Sequence, residues 1–208
     1  MNCKRIGIFI EDEWVASSYH MIIREIKKAG YIPMLITTNK EWDNGERKNI
    51  PSGDEPIYRL VVDLSIDEVD IDEFVGFVFG GGYWADRLRW WFVKEKEPGV
   101  LERPEPRALI EKILRSEKHL IGVICHAMWI IISLKHAVMA KEVTCAYNII
   151  DDVKNAGFTY IDTDVHVDGN LVTGRMSSNS DVFIREFLDQ LKQRELMQEP
   201  EIATTGVL

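Results

Sequence analysis

Long apolar runs, closely spaced cysteines and clustered basic residues are all missing from this sequence. No window approaches the ~18 consecutive apolar residues that a membrane-spanning helix needs, so no membrane contact is expected. The three cysteines, Cys3, Cys125 and Cys145, lie far apart without CxxC spacing. An odd, scattered set argues against a disulfide scaffold and against a structural zinc. His20, His119, His136 and His166 have no ligand-like spacing, so no metal and no cofactor are expected. Lys and Arg number 25 against 34 Asp and Glu, a net charge of −9 with the basic residues dispersed. Such a surface repels nucleic acid and anionic lipid. The opening "MNCKRIGIFIEDEW" has neither the apolar stretch nor the cleavage site of a secretory signal, and the expected location is cytoplasmic. Internal repeats and linker-like segments are missing too. One domain over residues 1–196 is expected, followed by a flexible tail over 197–208.

What is present is a core. Hydrophobic residues make up 46% of the 208, enough to fold without staples. "RIGIFI" (5–10) suits a buried strand, and Tyr19, Ile22, Ile23 and Ile26 recur at helical spacing up to Gly30. "YIPMLIT" follows as a strand, its Pro33 favouring an edge. Strand, helix and strand in about thirty residues make a βαβ unit. "IYRLVVDL", "FVGFVF" and "HLIGVI" are further strands, and Asn44-Gly45 is a turn signal. Residues 83–106 look irregular, and 107–116 helical. Helices are also expected over 127–134, 149–155 and 180–196, with a hairpin at "VHVDGNLVTG". The fold class is α/β: a mostly parallel central sheet with helices on both faces.

Chemistry concentrates at "IGVICHAMWII", where a strand-like run meets a helix-like one at Cys125-His126. That junction has the form of a nucleophile elbow, a tight turn that lifts a nucleophile above the sheet. Helix amides, the helix dipole and an adjacent imidazolium would each favour a thiolate there. Locally, a buried structural thiol is an equal alternative, because free cysteine is often buried.

The chain resembles the PfpI/ThiJ family, relatives of the Parkinsonism-associated deglycase and of class I glutamine amidotransferases. The resemblance rests on "RIGIFIEDEW" with "KKAG", "FVGFVFGGG", "VICHAMWIIISL", "TCAYNIIDDVKNAG" and "VHVDGNLVTGR", in order over residues 5 to about 192. It implies a flavodoxin-like three-layer sandwich with a reactive elbow cysteine. Activity on a small carbonyl or acyl substrate, of peptidase-like, glyoxalase or deglycase kind, is also implied. The implied catalytic residues are Cys125, His126 and Asp86, the last reaching His126 from a neighbouring subunit, so a homo-oligomer is implied as well. Glutamate is usual at the Asp86 position, and the shorter aspartate makes its reach depend on the backbone. Gly82 and His126 would supply the oxyanion-binding N–H groups.

One family feature is missing. The positions where relatives carry a glutamate beside the sulfur fall on Val15 and Ser18. Those two, with Trp14 and Trp84, are candidate pocket lining. Trp84, Trp90, Trp91 and Trp129 suit either an oligomer interface or a pocket for a bulky apolar ligand. Without the glutamate, a non-catalytic redox or stress sensor using Cys125 is the alternative function. A glutaminase subunit fits less well, because "VHVDG" holds only H-x-D.

Overall fold

The computed structural model of the chain describes residues 4–37, 49–55, 58–93 and 105–198. The expected βαβ unit is there: β1 (Arg5–Phe9), α1 (Ala16–Lys28) and β2 (Ile32–Thr37). Ala16, Tyr19, Ile22 and Ile26 form the buried stripe of α1. Val15, which precedes the helix, has no side chain able to cap it. The cap comes instead from Asp54, whose Oδ1 accepts from Ala16 N–H at 2.9 Å.

Asp54 belongs to the turn between β3 (Asn49–Pro51) and β4 (Arg59–Val61), an antiparallel pair separate from the main sheet. After it, β5 (Leu64–Ser65) joins β2. The sequence reading took residues 57–64 as one strand. The chain instead breaks at Val62-Asp63, where the Asp63 backbone N–H and carboxylate bind the Leu35 peptide at 2.9 and 2.8 Å.

The chain continues with β6 (Phe74–Phe79), α2 (Trp84–Val93), α3 (Glu105–Leu114) and β7 (Leu120–Ile124). Then come α4 (Met128–Ser133), β8 (Glu142–Val143), α5 (Ile150–Asn155), β9 (Thr159–Tyr160), β10 (Val165–Asp168), β11 (Leu171–Gly174) and α6 (Ser180–Gln198). The main sheet runs β10-β11-β7-β6-β1-β2-β5, parallel except for β10 against β11. From β1 the chain moves outward one way to β2, whereas from β6 it moves the other way to β7. Right-handed crossovers therefore send α1 and α3 to opposite faces. The result is the expected mostly parallel α/β sandwich. Pro33 is tolerated because β5 reaches only Ile36 and Thr37, leaving the outer edge of β2 unpaired at Pro33.

Residues 84–93 are helical rather than irregular. Trp84, Ala85 and Leu88 are buried on one face of α2, a stripe that Asp86, Arg87 and Arg89 interrupt in sequence. α6 runs two residues past the expected end, to Gln198. Its Phe183 and Phe187 are fully buried over Gly122 of β7, where a Cβ would stand 2.9 Å from either ring. Cys3, Asn44-Gly45, the side chains of Trp90 and Trp91, and the tail from 199 lie outside the described residues. Among those described, no helix is long and apolar enough to cross a membrane.

Candidate active site

β7 is buried along its whole length and delivers Cys125 to the carboxyl-terminal edge of the sheet, where ligands of open α/β sheets bind. Cys125 has φ 62°, in the left-handed region. For a residue with a side chain that conformation costs roughly 1–2 kcal/mol. The strained residue opens a 3₁₀ turn, Cys125–Ala127, that runs directly into α4. This is the elbow expected from sequence.

The Cys125 sulfur lies 3.3 Å from Nδ1 of His126. The other ring nitrogen, Nε2, is 2.9 Å from Nδ2 of the Asn148 side-chain amide. Tyr83 stacks on the imidazole at 5.0 Å and 25°, and Trp129 lies against it at 5.0 Å and 42°. The ring is therefore fixed at both nitrogens and in contact with two aromatic neighbours.

Burial opposes ionisation of the Cys125 thiol. The hydrogen bond and charge of His126 outweigh it, helped by the Ser177 hydroxyl and the His126 backbone N–H, so the thiol pKa falls below its ordinary value. The His126 pKa is raised, first by its bond to the sulfur and against burial, then by the sulfur's charge, Asn148 and the charge of Asp86. Opposite shifts on adjacent groups favour a thiolate–imidazolium pair, with macroscopic values that belong to the pair. With its oxygen turned to Nε2, the Asn148 amide accepts from the imidazolium. Cys145 shows the contrast: burial pushes its thiol up to about 12.

Two loops close over the junction. The loop after β1 and the Gly80-Gly81-Gly82 loop after β6 are joined by Val15 N–H donating to Gly81 O at 3.2 Å, within a bridge between Trp14 and Gly82. That bond leaves the Gly82 N–H outside the pairing. Gly82 has φ 139°, and a Cβ there would collide with Glu13 O. Only glycine fits this position. Glu13 is itself left-handed, with φ 74°, so strain gathers on both sides of the junction.

The structure thus gathers Cys125, His126 and the Gly82 loop, and adds two residues that the sequence reading missed, Asn148 and Ser177. Trp14 and Trp84 are 0% and 1% exposed and bind other parts of the core. Trp84 donates to Gly80 O at 3.1 Å, while Trp14 O accepts from Gly53 N–H and Ser52 Oγ at 3.0 Å each. Both are core residues of the chain rather than open pocket lining. Ser18 is fully buried, and its hydroxyl is 2.6 Å from that of Ser180, its partner in place of the sulfur. Val15 is half-buried. Asp86 stands in the first turn of α2, half-exposed, with Arg89 3.3 Å away. Within one chain it acts on His126 through charge. Arg89 in turn lies over Trp129, which donates to Asp152 at 3.1 Å. A concavity of about 720 Å³ lined by Ile71, Glu111, Arg115 and Lys118 lies at the other end of the sheet.

Residues 4–190 match the model of the DJ-1/PfpI family. A deglycase of Thermococcus kodakarensis is 34% identical over 65% of this chain and 73% of its own length. Protein/nucleic acid deglycase 2 of Escherichia coli is 31% identical over 89% of this chain and 96% of its own. Among solved structures, the ThiJ/PfpI domain protein of Brachyspira murdochii superposes with a TM-score of 0.73 at 18% identity, covering 93% of this chain and 98% of that one.

Proposed function

Because the chain belongs to the DJ-1/PfpI family, we propose that it is an enzyme of the deglycase or hydrolase type, acting through Cys125 on a small carbonyl or acyl substrate. The observation that supports this best is a left-handed cysteine at an elbow with its sulfur 3.3 Å from an imidazole nitrogen. In the reaction the thiolate adds to the carbonyl carbon, forming a C–S bond as the π electrons move to oxygen. Backbone N–H groups of Gly82 and His126 stabilise that oxygen. The His126 imidazolium gives its proton to the oxygen or to the leaving group and takes one back from water. Turnover of methylglyoxal or a fluorogenic ester that disappears in Cys125→Ala tests the reading; unchanged turnover in the variant would overturn it.

Asn148 and Asp86 divide the work on the imidazole: the amide fixes the ring, and the carboxylate favours its charged form. Asn148→Ala is expected to lower kcat about tenfold with little change in KM, because orientation acts in the transition state. Asn148→Asp restores the bond and moves the alkaline limb of the pH profile upward, since a carboxylate holds the imidazolium proton longer. A homo-oligomer is part of the proposal, with Asp86 of a second copy approaching the ring across α2. Tyr83 and Tyr147, 57% and 61% exposed, give the site's surroundings the aromatic character of an interface. Sedimentation should then show a dimer or larger; a monomer at assay concentrations would remove Asp86 from that role.

A second reading is favoured by one observation: His126 and Ser177, the side chains that most strongly lower the Cys125 pKa, are not carboxyl groups. In that reading Cys125 is a redox or stress sensor. Its thiolate attacks peroxide, forming an S–O bond as the O–O bond breaks and hydroxide leaves. A stoichiometric one-oxygen adduct on Cys125 without carbonyl turnover would favour the sensor, and resistance to peroxide would exclude it.

A further inference from the structure

Ser177 begins the 3₁₀ turn Ser177–Asn179 between β11 and α6. Its Oγ is closed off from solvent and has no hydrogen-bond partner among the described residues. An orphan buried hydroxyl is costly, so its surroundings matter. A side chain at Gly81 would run into this Oγ, and the same Cβ would stand 3.4 Å from the Cβ of Cys125. The Ser177 hydroxyl and the Cβ that carries the thiol therefore flank one small space above Gly81. The turn that aims the hydroxyl is pinned: the Ser177 carbonyl accepts from Ser180 Oγ at 2.6 Å, and Ser180 Oγ lies 2.6 Å from Ser18 Oγ. Asn179 Oδ1 fastens the turn again by accepting from Met176 N–H at 3.2 Å.

We propose that Ser177 is a catalytic residue of the Cys125 site, its hydroxyl donating a hydrogen bond to the thiolate in place of the carboxyl group that Val15 and Ser18 do not provide. The inference rests on Cys125 as the reactive thiol. The same hydroxyl is among the groups that hold that thiol below its ordinary pKa, after burial and His126. A carboxyl donor is lost once it ionises, whereas a serine hydroxyl keeps its proton at every working pH. The Cys125 thiolate is thereby held by a donor whose presence does not depend on pH. Ser18 keeps an indirect part, fixing the turn through Ser180.

Stabilising a thiolate also makes it a weaker nucleophile, which gives the assignment two opposed readouts. Alkylation of the full chain by iodoacetamide, followed by intact mass across a pH series, supplies both. In Ser177→Ala the midpoint is expected to rise by about one pH unit, about a tenfold loss of thiolate at pH values well below the parent midpoint. The limiting rate at high pH is expected to rise about threefold. Ser177→Thr keeps a hydroxyl and should stay near the parent midpoint. Gly81→Ala, whose methyl would push the hydroxyl aside, should raise the midpoint and serves if Ser177→Ala folds poorly. A merely looser site would speed alkylation at all pH values without moving the midpoint. An unmoved midpoint in Ser177→Ala overturns the proposal. If the midpoint moves but the protein turns over no carbonyl or ester, the enzymatic reading falls and the Ser177 assignment stands.

Discussion

Cys125→Ala is expected to lower turnover at least ~10³-fold, because the attacking atom is gone while the N–H groups around it remain. The fold should not suffer, since alanine keeps the Cβ and loses one buried sulfur in a tightly held turn. Cys125→Gly should be equally inactive but more stable than the alanine variant by about 1 kcal/mol. Glycine accepts φ 62° without the Cβ clash. The pair of variants separates two roles of one residue, chemistry and strain. A melt in which glycine and alanine are equal would deny that the elbow stores strain. Parent activity should be bell-shaped in pH. The acid limb lies below the ordinary thiol value, because the Cys125 pKa is lowered and its thiolate must form. The alkaline limb lies above the ordinary imidazole value, because the His126 pKa is raised and its proton must be present.

Phe187→Ala is expected to cost about 3–5 kcal/mol, the largest stability loss named here. Phe187 is 0% exposed and lies over β6 and β7, where side chains at Gly76 and Gly122 would stand 3.0 and 2.9 Å from its ring. The flat glycine floor cannot collapse into the cavity that alanine would leave. For a domain of this size the loss lowers Tm by on the order of 10 °C, measurable by calorimetry. The effect should also reach the site indirectly, because α6 begins three residues after Ser177. A loss below about 1 kcal/mol would mean that α6 is loosely docked.

The parallel sheet and the elbow were legible because both rest on local pattern. β7 is an unbroken apolar run, and the change of period at Cys125 marks the strand-to-helix turn. The hairpin at β10 and β11 was legible from Gly169-Asn170 in its turn. α2 was hidden because its buried face is only Trp84, Ala85 and Leu88, with charges between. β5 merges with β4 in the sequence reading because the break at Val62-Asp63 depends on Leu35, a residue from a different strand.

Asn148 and Ser177 left no local signal for the same reason. Asn148 is 22 residues from His126 in sequence, and an asparagine ahead of a short helix looks like any turn residue. Ser177 sits in a serine-rich turn, "SSNS", whose composition predicts only a loop. What gives either residue a chemical part is the convergence of β7, β11 and α5 at one end of the sheet. By the sequence reading the family's acidic positions fall on Val15 and Ser18, whereas the hydroxyl proposed in their place lies at Ser177, toward the far end of the chain.

The Asp54 cap on α1 bears on the order in which the molecule assembles. The first turn of α1 is closed by a carboxylate 38 residues further along. On a ribosome, where the N-terminal parts emerge first, β1 and α1 leave the tunnel before the residue that fastens the loop between them has emerged. That loop, with its strained Glu13, stays open until the β3–β4 turn arrives. Cys125 emerges later still, onto a platform already closed at Trp14 and Gly53.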